Sequence, residues 1–227
     1  ALYMMQHLRA LEENVVVKQD EMLLTVPAGT GRVAMEQLLI KNNLLNKGDY
    51  FQVLLKIKPE LSQFKAGTYR LTKGMSLRDV LLLINSGKEA QFTIRFIEGS
   101  RLKDWQSIFE QAPQLTTIAH TMDSDKLREE IGIKPEMANL EGWFAPDTYH
   151  YTAGTTDVAI LKRAYQQMEK TLEEEWIKRD RGLPYKSAYE MLIMASIIEK
   201  ETGIEAERTK VASVFINRLK ANMRLQT

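Results

Sequence analysis

A chain of 227 residues, 44% hydrophobic and 27% charged, has the composition of a globular protein able to bury one large core or two small ones. Thirty-one basic against thirty acidic residues leave a net charge of +1, so no bulk field directs it to nucleic acid or to an anionic membrane surface. The lack of cysteine excludes a disulfide framework, a thiolate zinc site and a thiol nucleophile, and the scattered His7, His120 and His150 offer no helix-borne metal pair, so no cofactor is expected.

In chain order, residues 1–20 form an amphipathic segment with Leu2, Leu8, Leu11 and Val15 among charges, read as a juxtamembrane lead-in. The chain begins at Ala1, which fits either a processed form or an excised piece whose targeting segment has been removed, and no apolar run reaches the roughly 18 to 20 residues that span a bilayer. Met22 to Val26 reads as a strand closed by Pro27-Ala28-Gly29, after which Val33, Leu38 and Leu39 open a helical pattern. The stretch Gly29-Thr30-Gly31 lacks the spacing of a phosphate loop. A second helix, Tyr50 to Lys58, stops at Pro59. Ala66 to Leu71 is strand-like, Gly74 to Val80 leads into the apolar run Leu81 to Ile84, and Gln91 to Ile97 alternates as a strand does.

Gly74 and Gly99 both begin Gly-x-x-Leu-basic-Asp-apolar, and Gly29 begins a looser version. This internal repeat of strand, glycine turn and helix predicts a small α+β domain over residues 21–98 and a second, mainly helical domain over 99–227. Gln114 to Leu140 holds short helical pieces broken at Gly132 and Pro135. The aromatic-rich run Glu141 to Tyr151 has two readings: exposed ring faces beside carboxylates, as in a carbohydrate groove, or a loop plugging the core.

Thr155 or Thr156 caps a long helix with the apolar stripe Val158, Leu161, Tyr165, Met168, Leu172 and Trp176. Ser187 and Glu190 have capping-box spacing, so the next helix starts near Ala188; its apolar residues on more than one side predict burial within a domain. Thr202-Gly203 closes it, and Val211, Val214, Phe215 and Leu219 form the inner face of the helix that follows.

The closing turn of that buried helix carries Glu199 and Glu201. Glu201 looks back over Ile198, Ile197 and Met194, whereas Glu199 looks back over Ser196, Ala195 and Leu192. A carboxyl against apolar side chains keeps its proton more easily, which suits Glu201 to general-acid work. The alternative is that both are solvated charges at a helix end.

The run Met194 to Thr227 resembles the signature of the MltG (YceG-like) family of endolytic murein transglycosylases. Lys65 to Arg70, Ser86 to Phe92 and Glu141 to Thr148 match the family in the same order. The resemblance implies a LysM-like repeat domain followed by a catalytic domain, in a single-pass protein of the bacterial inner membrane facing the periplasm. It implies cleavage of peptidoglycan glycan strands between N-acetylmuramic acid and N-acetylglucosamine, leaving 1,6-anhydro ends, beside peptidoglycan synthases as partners. The family's catalytic glutamate, in a Glu-Thr pair, falls on Glu201-Thr202. Glu141, Asp147, Tyr149, Glu199, Asn217 and Gln226 are the expected substrate contacts or supports. The family's Leu-Gln-Thr-Asp-Pro-Thr motif is cut at Gln226-Thr227, so the resemblance implies that the catalytic domain continues past this sequence, and the family's membrane helix is expected before Ala1. The competing readings are a non-catalytic peptidoglycan binder or scaffold and a helical interaction domain with no sugar role.

Overall fold

The computed structural model describes residues 1–97, 102–133, 144–201 and 205–221, with the backbone alone for Leu102, Ser196, Glu199, Lys200, Glu201, Glu205, Ala206 and Leu219. The chain forms two compact units, Ala1–Phe92 with His150–Gly154, and Thr93–Tyr149 with Thr155–Thr227. The first unit runs to Phe92 and takes back a short segment from later in the chain.

Unit 1 contains α1 (Leu2–Glu13), β1 (Glu21–Val26), α2 (Arg32–Lys41), α3 (Phe51–Ile57), β2 (Gly67–Thr72) and α4 (Leu77–Ser86). Strands β1 and β2 pair antiparallel, from Glu21 opposite Thr72 to Val26 opposite Gly67. Leu24, Val26, Met35, Leu39, Phe51, Leu54, Tyr69, Leu71, Leu77 and Leu81 fill the core between this ribbon and the helices. Each such side chain contributes about 1.5–3 kcal/mol by leaving water.

The lead-in segment is part of this unit rather than a separate arm. Helix α1 packs on α4, Leu8 is buried, and the backbone of Val16 and Val17 donates to the Met75 carbonyl. Its anchor is Glu12, whose buried carboxylate accepts hydrogen bonds from Lys58 and Arg78. Burial alone would raise that carboxyl, but the bonds and charges of the two cations outweigh it and hold the group below its ordinary value.

A second two-stranded ribbon joins β3 (Gln91–Arg95) and β4 (Thr148–Thr152). The Phe92 ring lies against Tyr151 and the Phe96 N–H donates to the Asp147 carbonyl, so the strands run in opposite directions.

Unit 2 is mainly helical: α5 (Leu102–Gln111), α6 (Ser124–Ile131), α7 (Asp157–Lys178), α8 (Ala188–Glu201) and α9 (Glu205–Lys220). Phe96 stacks on Trp105 at 3.6 Å between ring centroids, with Phe109 at its edge and Phe144 against Trp105. The stripe on α7 is as periodicity predicts, with Val158, Leu161, Tyr165 and Leu172 buried, and Thr156 caps the helix by accepting from the Ala159 N–H.

Helix α8 departs from the expected burial. Met194 is buried, but Met191, Leu192, Ile197 and Ile198 are half-buried and Ile193 is 41% exposed. Its capping box is half made: Ser187 Oγ accepts from the Glu190 N–H, while the Glu190 carboxylate takes the Lys186 N–H instead of that of Ser187. On α9, Phe215 is buried and Val214 is exposed, because the inner stripe follows Val211 and Phe215 four residues apart and Val214 falls outside it.

The glycine-turn repeat has a copy that the sequence reading missed. Gly29, Gly74 and Gly154 have φ of 76°, 93° and 85°, and the N-caps Gly31, Ser76 and Thr156 each follow two residues later. Gly99 lies outside the described residues. Only glycine adopts this left-handed backbone freely, and Gly74 and Gly154 use it to turn from β2 into α4 and from β4 into α7. Thr68-Tyr69 and Thr148-Tyr149 fall at matching places near the starts of the two strands, eighty residues apart.

Candidate active site in the helical unit

The described candidate residues all belong to unit 2. Glu201 is the last residue of α8, where the helix reading puts it. One to two turns earlier on its face stand Ile198 and Ile197, half-buried, and Met194, buried; behind Glu199 stand the exposed Ala195 and the half-buried Leu192. The residues that precede Glu201 on its helix face are thus more apolar than those that precede Glu199.

Asp147 and Tyr149 come together on the turn that enters β4, and each is occupied there. Asp147 Oδ1 accepts the Thr148 N–H at 2.7 Å, Oδ2 accepts from Gln167 Nε2 at 3.1 Å, and its carbonyl accepts the Phe96 N–H. The Tyr149 ring is 5% exposed and tilts against Phe96, and its hydroxyl donates to the Ala145 carbonyl at 2.5 Å. Burial, with the Asp147 carboxylate second and Arg163 opposing, pushes that hydroxyl up to about 12.

This corrects the groove reading of residues 144–151. Phe144 and Tyr149 pack into unit 2, and Tyr151 is buried in unit 1, because ring surface of this size gains more from the core than from a sugar face left open to water. Tyr149 in particular offers the substrate neither an open ring nor a free hydroxyl. Asn217 is exposed on α9. Glu141 and Gln226, also expected at the site, lie outside the described residues.

Two residues of this unit were absent from the sequence reading. Gln167 holds Asp147, and the buried Asp157 at the start of α7 accepts the N–H groups of Ile118, Ala119 and Val158. The signal that finds Asp157 is the second copy of the repeat, where it takes the place of Leu77; nothing local marks Gln167.

Among the described residues no group of three or more His, Cys, Asp or Glu could hold a metal ion, and no helix is long and apolar enough to cross a membrane. An open cavity of about 310 Å³ lies between the end of α6 and α7, at Ile131, Lys162, Gln166, Glu169 and Lys170. Its lining is charged and includes none of the candidate residues.

The architecture and this site define a class: a two-unit α+β chain whose helical second unit carries a glutamate at the end of a partly buried helix. The model of the YceG-like family matches residues 24–227, and the chain belongs to that family. It is 30% identical over 219 residues to the endolytic murein transglycosylase of Bacillus subtilis (strain 168), a match covering 90% of this chain and 60% of that protein. It is 25% identical over 229 residues to the protein of the same name in Streptococcus pneumoniae serotype 2 (strain D39 / NCTC 7466), covering 89% of this chain and 41% of that protein. The chain thus spans three fifths or less of the length of these relatives. A YceG-like protein from Listeria monocytogenes of known structure is 23% identical, with a TM-score of 0.46 over 93% of this chain and 73% of that one.

Proposed function

We propose that the full-length protein is an endolytic murein transglycosylase that cuts peptidoglycan strands between N-acetylmuramic acid and N-acetylglucosamine and leaves 1,6-anhydro ends. The observation that carries this reading is the family match over residues 24–227, which includes Glu201, together with the name its relatives bear.

Glu201 is the acid and then the base. Protonated at rest, it gives its proton to the glycosidic oxygen as the bond to C1 of muramic acid breaks through an oxocarbenium-like state. The resulting carboxylate takes the proton of the C6 hydroxyl of the same sugar, whose oxygen attacks C1 and closes the anhydro ring. Water is not consumed, so the second carboxylate that an ordinary glycosidase needs about 5–9.5 Å away is dispensable. The apolar residues behind Glu201 on α8 support its role as the group that rests protonated. Asp147, with both carboxylate oxygens engaged, is a support for the site. Glu141, Glu199, Asn217 and Gln226 are the sugar contacts of this reading.

Unit 1 serves in this reading as a LysM-like module that holds the glycan. The protein is anchored in the bacterial inner membrane by a single helix outside this chain, works in the periplasm, and acts beside peptidoglycan synthases. Mass spectrometry of purified sacculi digested with the full-length protein tests the chemistry. Anhydro-ended fragments are expected from the wild type and none from Glu201→Gln. Reducing ends would make the protein a muramidase, and binding without products would make it a scaffold.

A further inference from the structure

We propose that Gln167 is a positioning residue of this enzyme, holding Asp147 so that the turn Ala145–Thr148 is fixed on α7, the helix that also packs against α8, whose last residue is Glu201. The inference rests on the functional reading above.

The turn is tied to α7 at two points. The Ala145 N–H donates to the Ala164 carbonyl at 3.2 Å, and Gln167 Nε2 donates to Asp147 Oδ2 at 3.1 Å. Ala164 and Gln167 are three residues apart on the helix and so share one face. Within the turn, the Tyr149 hydroxyl bonds the Ala145 carbonyl and Asp147 Oδ1 bonds the Thr148 N–H. Helix α7 is packed by α8 as well. It is the common support of the turn and of the glutamate-bearing helix.

The earlier copy of the repeat shows that the fold does not need the Asp147–Gln167 pair. There, Tyr69 bonds the Lys65 carbonyl as Tyr149 bonds that of Ala145. The residue at the place of Asp147 is Gly67, which has no side chain, and the Thr68 N–H is taken by Glu89 from downstream. The place of Gln167 is Gly87, the C-cap of α4, where the helix has already ended. The second copy has therefore added a carboxylate to the turn and lengthened its helix past the residue that grips it. Asp147 and Gln167 are both exposed, and an exposed hydrogen-bonded pair adds little to stability. What the pair supplies is a defined place for the end of the Glu141 to Thr148 run relative to α7, and misplacing groups around a reacting centre lowers rate steeply.

The test compares full-length wild type, Gln167→Glu, which keeps the shape but loses the donor, and Gln167→Lys, which keeps a donor toward Asp147. Release of anhydro-ended fragments from murein strands gives kcat and KM, and thermal unfolding is followed alongside. Gln167→Glu is expected to lower kcat on the order of tenfold with KM and Tm little changed, and Gln167→Lys to restore most of the rate. Wild-type kcat in Gln167→Glu, or an equal loss in both variants that follows a fall in Tm, overturns the positioning role while the functional reading stands. A wild-type protein that releases no anhydro ends overturns the functional reading and the positioning role with it.

Discussion

Residues 65–84 and 145–164 are built alike and fastened differently. In both, a buried tyrosine starts a strand and bonds a carbonyl four residues back, a left-handed glycine ends the strand, a hydroxyl caps the helix, and the helix buries the same positions: Val80 and Leu81 in one, Ile160 and Leu161 in the other. At the first residue of the helix they part. Leu77 is a core side chain, whereas Asp157, just as hidden, collects backbone N–H groups from the segment at Ile118 and Ala119. The shared positions make the strand-turn-helix unit, and the differing ones fasten it to its surroundings. Unit 1 fastens its added helix α1 with a carboxylate between two cations, and unit 2 fastens its loop with a carboxylate between backbone amides.

The largest effect that probes this comparison is expected from exchanging the two residues. Leu77→Asp buries a carboxylate among core aliphatics and should cost about 3–5 kcal/mol. Asp157→Leu strands the N–H groups of Ile118 and Ala119 and should cost about 2–4 kcal/mol. Denaturant unfolding of each variant checks both figures. A tolerated Asp at position 77 would mean that the two helix starts are interchangeable.

Glu12→Gln should cost about 2 kcal/mol at neutral pH, a figure reduced because Lys58 and Arg78 are partly exposed. The folded carboxyl sits below its ordinary value near 4.5, so its contribution is complete above that pH and is lost as pH falls through the lowered value. Stability curves of wild type and Glu12→Gln should therefore converge in acid, and a gap of constant size down to low pH would refute the ion-pair account. High salt should narrow this gap, whereas the gap produced by Asp157→Asn should respond less, since its partners are amides.

Tyr69→Phe and Tyr149→Phe should each cost about 1 kcal/mol, because each removes the hydrogen bond that a buried phenol donates to a carbonyl four residues back. The smallest effect is expected from Gly74→Ala and Gly154→Ala, about 1 kcal/mol or less and nearly equal. A Cβ meets nothing within 4 Å at either site, and only the left-handed backbone is strained. Unequal losses in thermal melts would show that the two turns are not equivalent.

Features that depend on near neighbours were legible in the residues. The strand Met22 to Val26, the stripe from Val158 to Leu172, the Thr156 cap and the position of Glu201 at a helix end follow from spacings of two to four residues, and the structure has them. The copy at Gly154 was equally legible, but its helix starts with Asp157 where the copies at Gly74 and Gly99 have leucine. Val214 and the half-exposed α8 were misread because a run of apolar residues states how much surface is available, while the packing of neighbouring helices decides which part is covered.

What the sequence by itself determined is therefore periodicity, turn chemistry and the family to which the chain belongs. The tertiary structure alone decided that Tyr149 is a core residue, since its ring neighbour Phe96 lies more than fifty residues earlier. It alone made α1 part of unit 1, by bringing Lys58 and Arg78 to Glu12, and set Gln167 beside Asp147. Each of these depends on a contact between residues far apart in the chain, where the cost of closing the loop is met by burial and hydrogen bonding that no local pattern records.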